Sequence, residues 1–572
     1  MTSSADHAIE GPTVRGRAPS PAHRPQHPAD TTERDRFRWD GVSWLRVAAW
    51  LFCAGIIGVP LAAIAVQAFS GNHLPLLLQG DVLEAGVNSL VSAGLSAVGA
   101  VALGLALALL LDRTDLPGAR ILRLFMLTPL LVPPFVGAIA WLGIAGSASP
   151  VNRFWTEIFG GPLWNIYGGD GVVFLLIVHS YPIAYLIIGA ALRRVPSDLE
   201  QLARVGGAGA WTAVRHVTIP LLKPALLSAF TLTLVSNLAD FGIPSIIGLP
   251  ERYVTLSTLV YRYIQSGTVD APLEVVSTIG LLLLVLAAIT VLADILVSRR
   301  RIELDGGTTV AVPLRLGRTK PVVTITAWVT GLALTALPIF SLATQALLPA
   351  PGVPLAWENL TLESFRRALS SPSTTTGAIN SIVLSVGAGI ICAVVGLTIG
   401  TLITRLRSRD NVLLGGIALL PQAIPGLVLA VGWLIIAPRL GIFNTPWLIL
   451  CAYVMAFVAM VVQAVNAPLR STPLALEEAA RLGGASRVRA LIDISWRLAT
   501  PAAVTGGILV ALTAVRELTI SVLLVAPGTQ TIGVLIFNLQ QAGAYNAASA
   551  LSLIIVVVGL AGLGLTARGS RV

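Results

Sequence analysis

Long uninterrupted apolar runs decide what this chain can fold into. Residues 90–111 read LVSAGLSAVGAVALGLALALLL, and residues 279–297 read IGLLLLVLAAITVLADILV. A bilayer core takes about twenty apolar residues per helix, and both runs meet that length. With no water in the hydrocarbon, only helices or closed barrels satisfy the backbone. The runs lack the alternation of a barrel strand, so helices are expected. Twelve spans are predicted, near 44–69, 85–111, 122–145, 171–192, 220–248, 273–297, 321–349, 378–403, 412–437, 446–468, 498–525 and 547–567. The fold class is all-α and polytopic.

Only 12% of the 572 residues are charged, yet the net charge is +10. Topology accounts for that excess better than nucleic-acid binding does. With the N-terminus inside, Arg153, Arg252, Arg262, Arg366, Arg367 and Arg439 fall outside, Arg516 lies within a span, and most other Lys and Arg fall in the cytoplasm. That bias is the positive-inside rule. Residues 1–43, rich in Pro, Arg, His and Asp, read as a disordered cytoplasmic tail. The irregular spacing of its His7, His23 and His27 favours a solvated tail over a metal site. No cleavable signal peptide is expected, because the first apolar run starts late and is long enough to span. Cys53, Cys392 and Cys451 each fall in an apolar span without metal or redox spacing.

The two halves of the chain repeat each other. Asn88-Ser89, Arg113, Pro129, Pro133 and Trp141 recur 292 residues later as Asn380-Ser381, Arg405, Pro421, Pro425 and Trp433. Further on the offset is 277, so the first half carries extra residues, most simply in the outer loop 146–170. A match over several spans is duplication. Six spans per half make the repeat parallel, related by an axis along the membrane normal. The division predicted is a first permease-like half at 44–297, a cytoplasmic linker at 298–320 and a second half at 321–572.

One polar loop recurs in each half. The first copy runs Pro196-Ser-Asp-Leu-Glu-Gln-Leu-Ala-Arg-Val-Gly-Gly-Ala, the second Pro473-Leu-Ala-Leu-Glu-Glu-Ala-Ala-Arg-Leu-Gly-Gly-Ala. Each reads as a short helix, a glycine turn and a second helix. Proline suits the helix start, and the glycine pair supplies positive φ at the stop. Such an element, held beneath the membrane, is suited to dock in a groove of a partner.

These loops resemble the coupling loop of binding-protein-dependent ABC importer permeases. That family's pattern is Glu-Ala-Ala, three residues, Gly, then nine residues before Ile-x-Leu-Pro. The second copy matches at Glu478, Ala479, Ala480, Gly484 and Ile494, then departs with Trp496-Arg497. The first has Gln201, Leu202, Ala203 and Gly207, ending Ile219-Pro220, so the acidic group is replaced by an amide. The resemblance implies that both loops, with Glu200 and Glu477 beside the motif, seat in an ATPase dimer. It also implies an extracytoplasmic substrate-binding protein. Within it, Ala239-Asp240-Phe241-Gly242-Ile243-Pro244 and Arg516-Glu517-Leu518 resemble segments of fused ferric-iron permeases. Thiamine and 2-aminoethylphosphonate permeases are the alternative.

Ionisable groups inside spans usually face the bundle interior or a pathway. Asp240, Arg516 and Glu517 are therefore candidates for the translocation route, the alternative being that Arg516 pairs with a neighbouring acid and staples the bundle. His179 is expected to be a hydrogen-bonded packing residue. Neither Lys223 nor Lys320 follows a glycine-rich run, so no P-loop is present and ATP hydrolysis is expected on a separate subunit. No cofactor, catalytic triad, metal cluster or nucleic-acid motif is read from the chain. The rival class is a secondary transporter. Asp112-Arg113 with Gly118-Ala119-Arg120 faintly resembles its basic loop, but the spacing is wrong and the two polar loops would go unexplained.

Overall fold

A computed structural model describes residues 41–71, 73–147, 149–267, 269–298, 313–406 and 408–569. Residues 1–40 of the expected tail and most of the expected linker lie outside the described residues, and residues 41–43, expected in the tail, begin the first helix Gly41–Cys53. The described chain is helical throughout.

Ten helices are long and apolar enough to cross a membrane: Val42–Ser70, Gly80–Arg113, Pro134–Phe159, Gly169–Leu192, Ala210–Ala239, Pro272–Thr290, Gly317–Leu347, Pro372–Arg405, Pro446–Ser471 and Arg487–Ala514. An eleventh span is a bent pair, Arg409–Ala423 with Gly426–Leu440, meeting at 109°. The helix Tyr545–Gly569, 25 residues long, occupies the place of the twelfth expected span. The protein is an all-α polytopic membrane protein, with ten or eleven spans long and apolar enough among the described residues.

Spans expected to be continuous are broken at two pairs of matching places. The third is interrupted between Ala119–Leu127 and Pro134–Ala145, just as the ninth is between Arg409–Leu419 and Gly426–Leu440. Pro129 and Pro133, with Pro421 and Pro425, remove the amide donors a straight helix needs there. The fifth stops at Ala239 rather than near 248, and the eleventh at Ala514 rather than near 525.

Within each half the second and fourth spans pack closely, because lipid supplies no hydrophobic drive and small residues let backbones approach. A Cβ on Gly104 would stand 2.8 Å from the Tyr185 amide nitrogen. One on Gly396 would stand 2.7 Å from Val461 Cβ. Valine at either position is expected to cost about 1–3 kcal/mol through overpacking and to lower the thermal midpoint of the detergent-solubilised protein. An unchanged midpoint would show the contact to be loose.

The Asn-Ser repeat has a physical reason. Asn88 donates to the Val254 carbonyl at 3.0 Å, and Ser89 Oγ accepts from the Leu256 amide at 2.8 Å. Asn380 and Ser381 do the same for Gln530 and Ile532, at 3.0 and 2.8 Å. Each pair holds the chain that turns back after the fifth span of its half.

The halves interlock. The first span packs on the sixth and also on Gly426–Leu440 of the other half. The seventh packs on the last helix and on Pro134–Ala145 of the first half. Ser341 Oγ donates to the Ala140 carbonyl at 2.9 Å across that seam. Residues 313–320 join the halves at one end: the Leu314 amide donates to the Arg113 carbonyl at 2.7 Å, and Lys320 Nζ to Asp115 at 2.8 Å. The hydrogen bonds from Lys320 and the Leu316 amide hold the Asp115 carboxyl below the usual carboxylate range.

Candidate functional site

Each glycine-pair loop folds as read. Helices Ser197–Val205 and Leu474–Leu482 are followed by turns in which Gly207 has φ +89° and Gly484 φ +92°. The Ala208 amide reaches back to the Ala203 carbonyl and the Gly207 amide to Arg204, each at 3.0 Å. Ala485 and Gly484 repeat both bonds, to Ala480 and Arg481, at 3.0 Å. This Schellman cap satisfies the last carbonyls and redirects the chain. A short helix then runs through a wide turn, Val214–Thr218 or Leu491–Trp496, into the fifth span of its half.

The outer surface of these loops is polar with apolar points. Gln201, Glu478, Ala479, Gly207 and Gly484 are exposed, while Ala203 and Ala480 are half-buried. Val205 is 87% exposed, and its counterpart Leu482 is 91% exposed. Apolar side chains left bare at matching places suit a docking face.

Glu200 and Glu477 take a different part from their neighbours. Arg113, at the end of the second span, is 4% exposed and stands 3.7 Å from Glu200 Oε1. It also donates to the Leu192 and Val195 carbonyls at 3.0 and 3.3 Å. Glu200 accepts from Thr218 Oγ1. In the second half Arg405 Nε lies 3.1 Å from Glu477 Oε1, Arg405 Nη2 donates to the Thr472 carbonyl at 2.8 Å, and Glu477 accepts from Ser495 Oγ. Each carboxylate therefore ties three elements: the end of the second span, the loop helix and the start of the fifth. Sequence reading singled out both arginines only as repeat markers. Their role was visible as one clue: Arg, Glu and Ser/Thr recur together although their offsets differ.

At the other end of the fifth spans, Asp240 and Glu517 do the same job. Asp240 Oδ1 accepts from the Ile243 amide at 2.9 Å. Glu517 Oε1 accepts from the Ile520 amide at 2.8 Å, and Oε2 from the Ser521 amide at 3.2 Å and its hydroxyl at 3.0 Å. Both carboxylates cap the short helical turn that follows the break, which is why an acid recurs there. Phe241 bridges the seam beside them, its ring 5.1 Å from Tyr261 and 5.6 Å from Phe537 of the second half.

One alternative and one expectation are corrected. Arg516 makes no ion pair among the described residues; it donates to the Leu131 carbonyl at 2.6 Å, where the break in the third span leaves a carbonyl free. His179 makes no hydrogen bond among the described residues. It lines a small apolar cavity of about 40 Å³ with Pro133, Trp141 and Pro338. No group of three or more His, Cys, Asp or Glu able to hold a metal occurs among the described residues.

The chain is 25% identical over 525 residues to the ferric transport system permease protein FbpB of Actinobacillus pleuropneumoniae, covering 88% of this chain and 74% of that protein. It is 23% identical over 520 residues to the Fe(3+)-transport system permease protein FbpB 2 of Haemophilus influenzae, covering 88% and 94%. The molybdenum transport system permease protein ModB of Mycobacterium tuberculosis is 31% identical over 248 residues, covering 42% of this chain and 92% of that protein. The family described as binding-protein-dependent transport system inner membrane component matches residues 97–302 and again 385–568, one match in each half. The chain belongs to that family of binding-protein-dependent transport system inner membrane components.

Proposed function

We propose that this chain supplies both permease halves of an ATP-driven importer for ferric iron. Iron would be handed over by an extracytoplasmic binding protein, and a dimer of ABC ATPases would dock on the two glycine-pair loops. The observation carrying the substrate is one of extent. Two ferric relatives match across 88% of the chain, both halves included, and a third across 40%, whereas the molybdenum relative matches 42%, about one half. In this reading the loop end of the bundle is cytoplasmic, and the halves 44–297 and 321–572 together form one pore. The exposed Val205 and Leu482 support docking by both halves.

Asp240 and Glu517 supply one carboxylate from each half. Ferric iron is a hard cation that prefers oxygen, and two spaced carboxylates guide such an ion without trapping it, as conduction requires. Asp240→Asn and Glu517→Gln test this cleanly. An amide keeps an oxygen to accept from the Ile243 or Ile520 amide and removes the charge; at Glu517 its NH2 also faces the Ser521 amide that Oε2 accepts from, so protein level is measured alongside. Labelled-iron uptake is expected to fall in both variants while protein level and ATPase association persist. Wild-type uptake in both would remove the carboxylates from the route. Iron uptake unaffected by deleting the permease, with thiamine or phosphonate uptake lost, would overturn the substrate.

A further inference from the structure

A polar cavity of about 420 Å³ opens where the second and fourth spans end, lined by Asp112, Arg123, Tyr185 and Arg193 with Leu127 and Leu186. It has no part in the transport reading above. Its chemistry is unusual in being incomplete on both signs. The Asp112 side chain is only 7% exposed. Its Oδ1 accepts from Arg123 Nη2 at 2.5 Å. Its Oδ2 is fully buried and has no hydrogen-bond donor, with Arg193 Nη1 standing off at 3.6 Å. A buried acceptor left without a donor is costly. Arg123 Nε donates to Tyr185 Oη at 2.9 Å, and the Arg193 side chain remains 60% exposed. The cavity thus presents guanidinium groups that can take an anion beside a carboxylate oxygen that needs an N–H donor.

Size and place narrow the occupant. The space is far larger than one bridging water needs. It lies at the ends of two spans, the depth of lipid headgroups, where basic pockets between helices take lipid. Leu186, which lines it, is 43% exposed, a surface for acyl chains rather than water. The space above the carboxylate is kept open by Gly189, whose Cβ would stand 3.1 Å from Asp112 Oδ2 and 3.4 Å from Arg193 Nη1. The duplication supplies an internal control. At the matching places the second half has Thr404, Gly415 and Val462, keeping only Arg470. The cavity is therefore no by-product of the repeat.

We propose that this cavity is a binding site for an aminophospholipid headgroup, its phosphate on Arg193 and Arg123 and its ammonium donating to Asp112 Oδ2. Phosphatidylethanolamine has both groups. Phosphatidylcholine has no N–H, and phosphatidylglycerol has no cation.

The test is native mass spectrometry of the full chain, delipidated in detergent and supplied with equimolar phosphatidylethanolamine, phosphatidylcholine and phosphatidylglycerol. One tightly held phosphatidylethanolamine is expected, preferred roughly tenfold, the ratio a single hydrogen-bonded contact gives. Arg193→Gln, at an exposed side chain, and Gly189→Ala, which fills the space over the carboxylate, are each expected to lose that preference. Because Arg193 contributes little to the core, a folded Arg193→Gln protein keeps the test decisive if Gly189→Ala misfolds. Equal retention of the three lipids, a preference for phosphatidylglycerol, or unchanged retention in Arg193→Gln would overturn the proposal. Displacement of the lipid by soluble phosphoethanolamine at equal concentration would assign the site to a solute instead. Occupancy is read without transport, so its failure leaves the importer reading untouched.

Discussion

Gly484→Val is expected to reduce uptake to less than about a tenth of wild type while the protein still reaches the membrane. The residue sits at φ +92° with nothing within 4 Å of a built Cβ, so the obstacle is the backbone and not crowding. A β-branched residue held in that conformation costs about 1–3 kcal/mol, roughly tenfold or more in the population of the native turn. The helix that follows would then be misaimed at its partner. Gly484→Ala, with less strain, is expected to be intermediate. Gly207→Val meets the same geometry at φ +89°, but its loop carries Gln201 where the second carries Glu478. Its transport defect is expected to be milder, since that loop has less charge to lose at the interface. Uptake assays paired with copurification of the ATPase decide the matter. Full uptake by Gly484→Val would end the docking role, and equal, complete loss from both loops would end the asymmetry.

Arg405→Ala is expected to destabilise the second half by about 3–5 kcal/mol, the usual result of removing one partner of a buried ion pair. Glu477 would keep its hydrogen bond from Ser495 but lose its cation. The Thr472 carbonyl would lose its donor as well. Arg405→Met combined with Glu477→Met is expected to recover most of that loss, because no uncompensated charge remains. Thermal midpoints of the single and double variants in detergent give the comparison. A double variant as unstable as Arg405→Ala would show that the unpaired carboxylate is not the source. Arg113→Ala should behave similarly in the first half, where the arginine also holds two backbone carbonyls.

Much of the site was legible because the chemistry is local. A helix start, an acid-rich turn and a glycine pair lie within about a dozen residues in each loop, and the caps formed as their order implied. What sequence reading missed needed partners far away. Nothing near Arg516 announces that its guanidinium meets the Leu131 carbonyl, 385 residues back in the chain. Asp240 and Glu517 look like isolated charges in apolar runs until the helix is seen to break beside them. His179 is polar by identity, but the cavity it lines is walled mostly by proline, tryptophan and aliphatic side chains. The proline pairs at 129 and 133, and at 421 and 425, were noticed as repeat markers. Their effect, a 109° bend in the second half, was not drawn from them.

The sequence by itself determined that the chain is helical, spans a membrane and is built twice over. The first two follow from apolar length and backbone satisfaction in lipid, and the third from motifs that recur at a fixed offset, all of which are read along the chain. Tertiary structure alone decided which helices meet. In a bilayer every face of a span is apolar, so periodicity does not mark the buried side. Partners are chosen by small residues that permit close approach and by polar groups that need one another. That is why the first span of each half lies against the third of the other, and why Arg113 finds Glu200 and Arg405 finds Glu477.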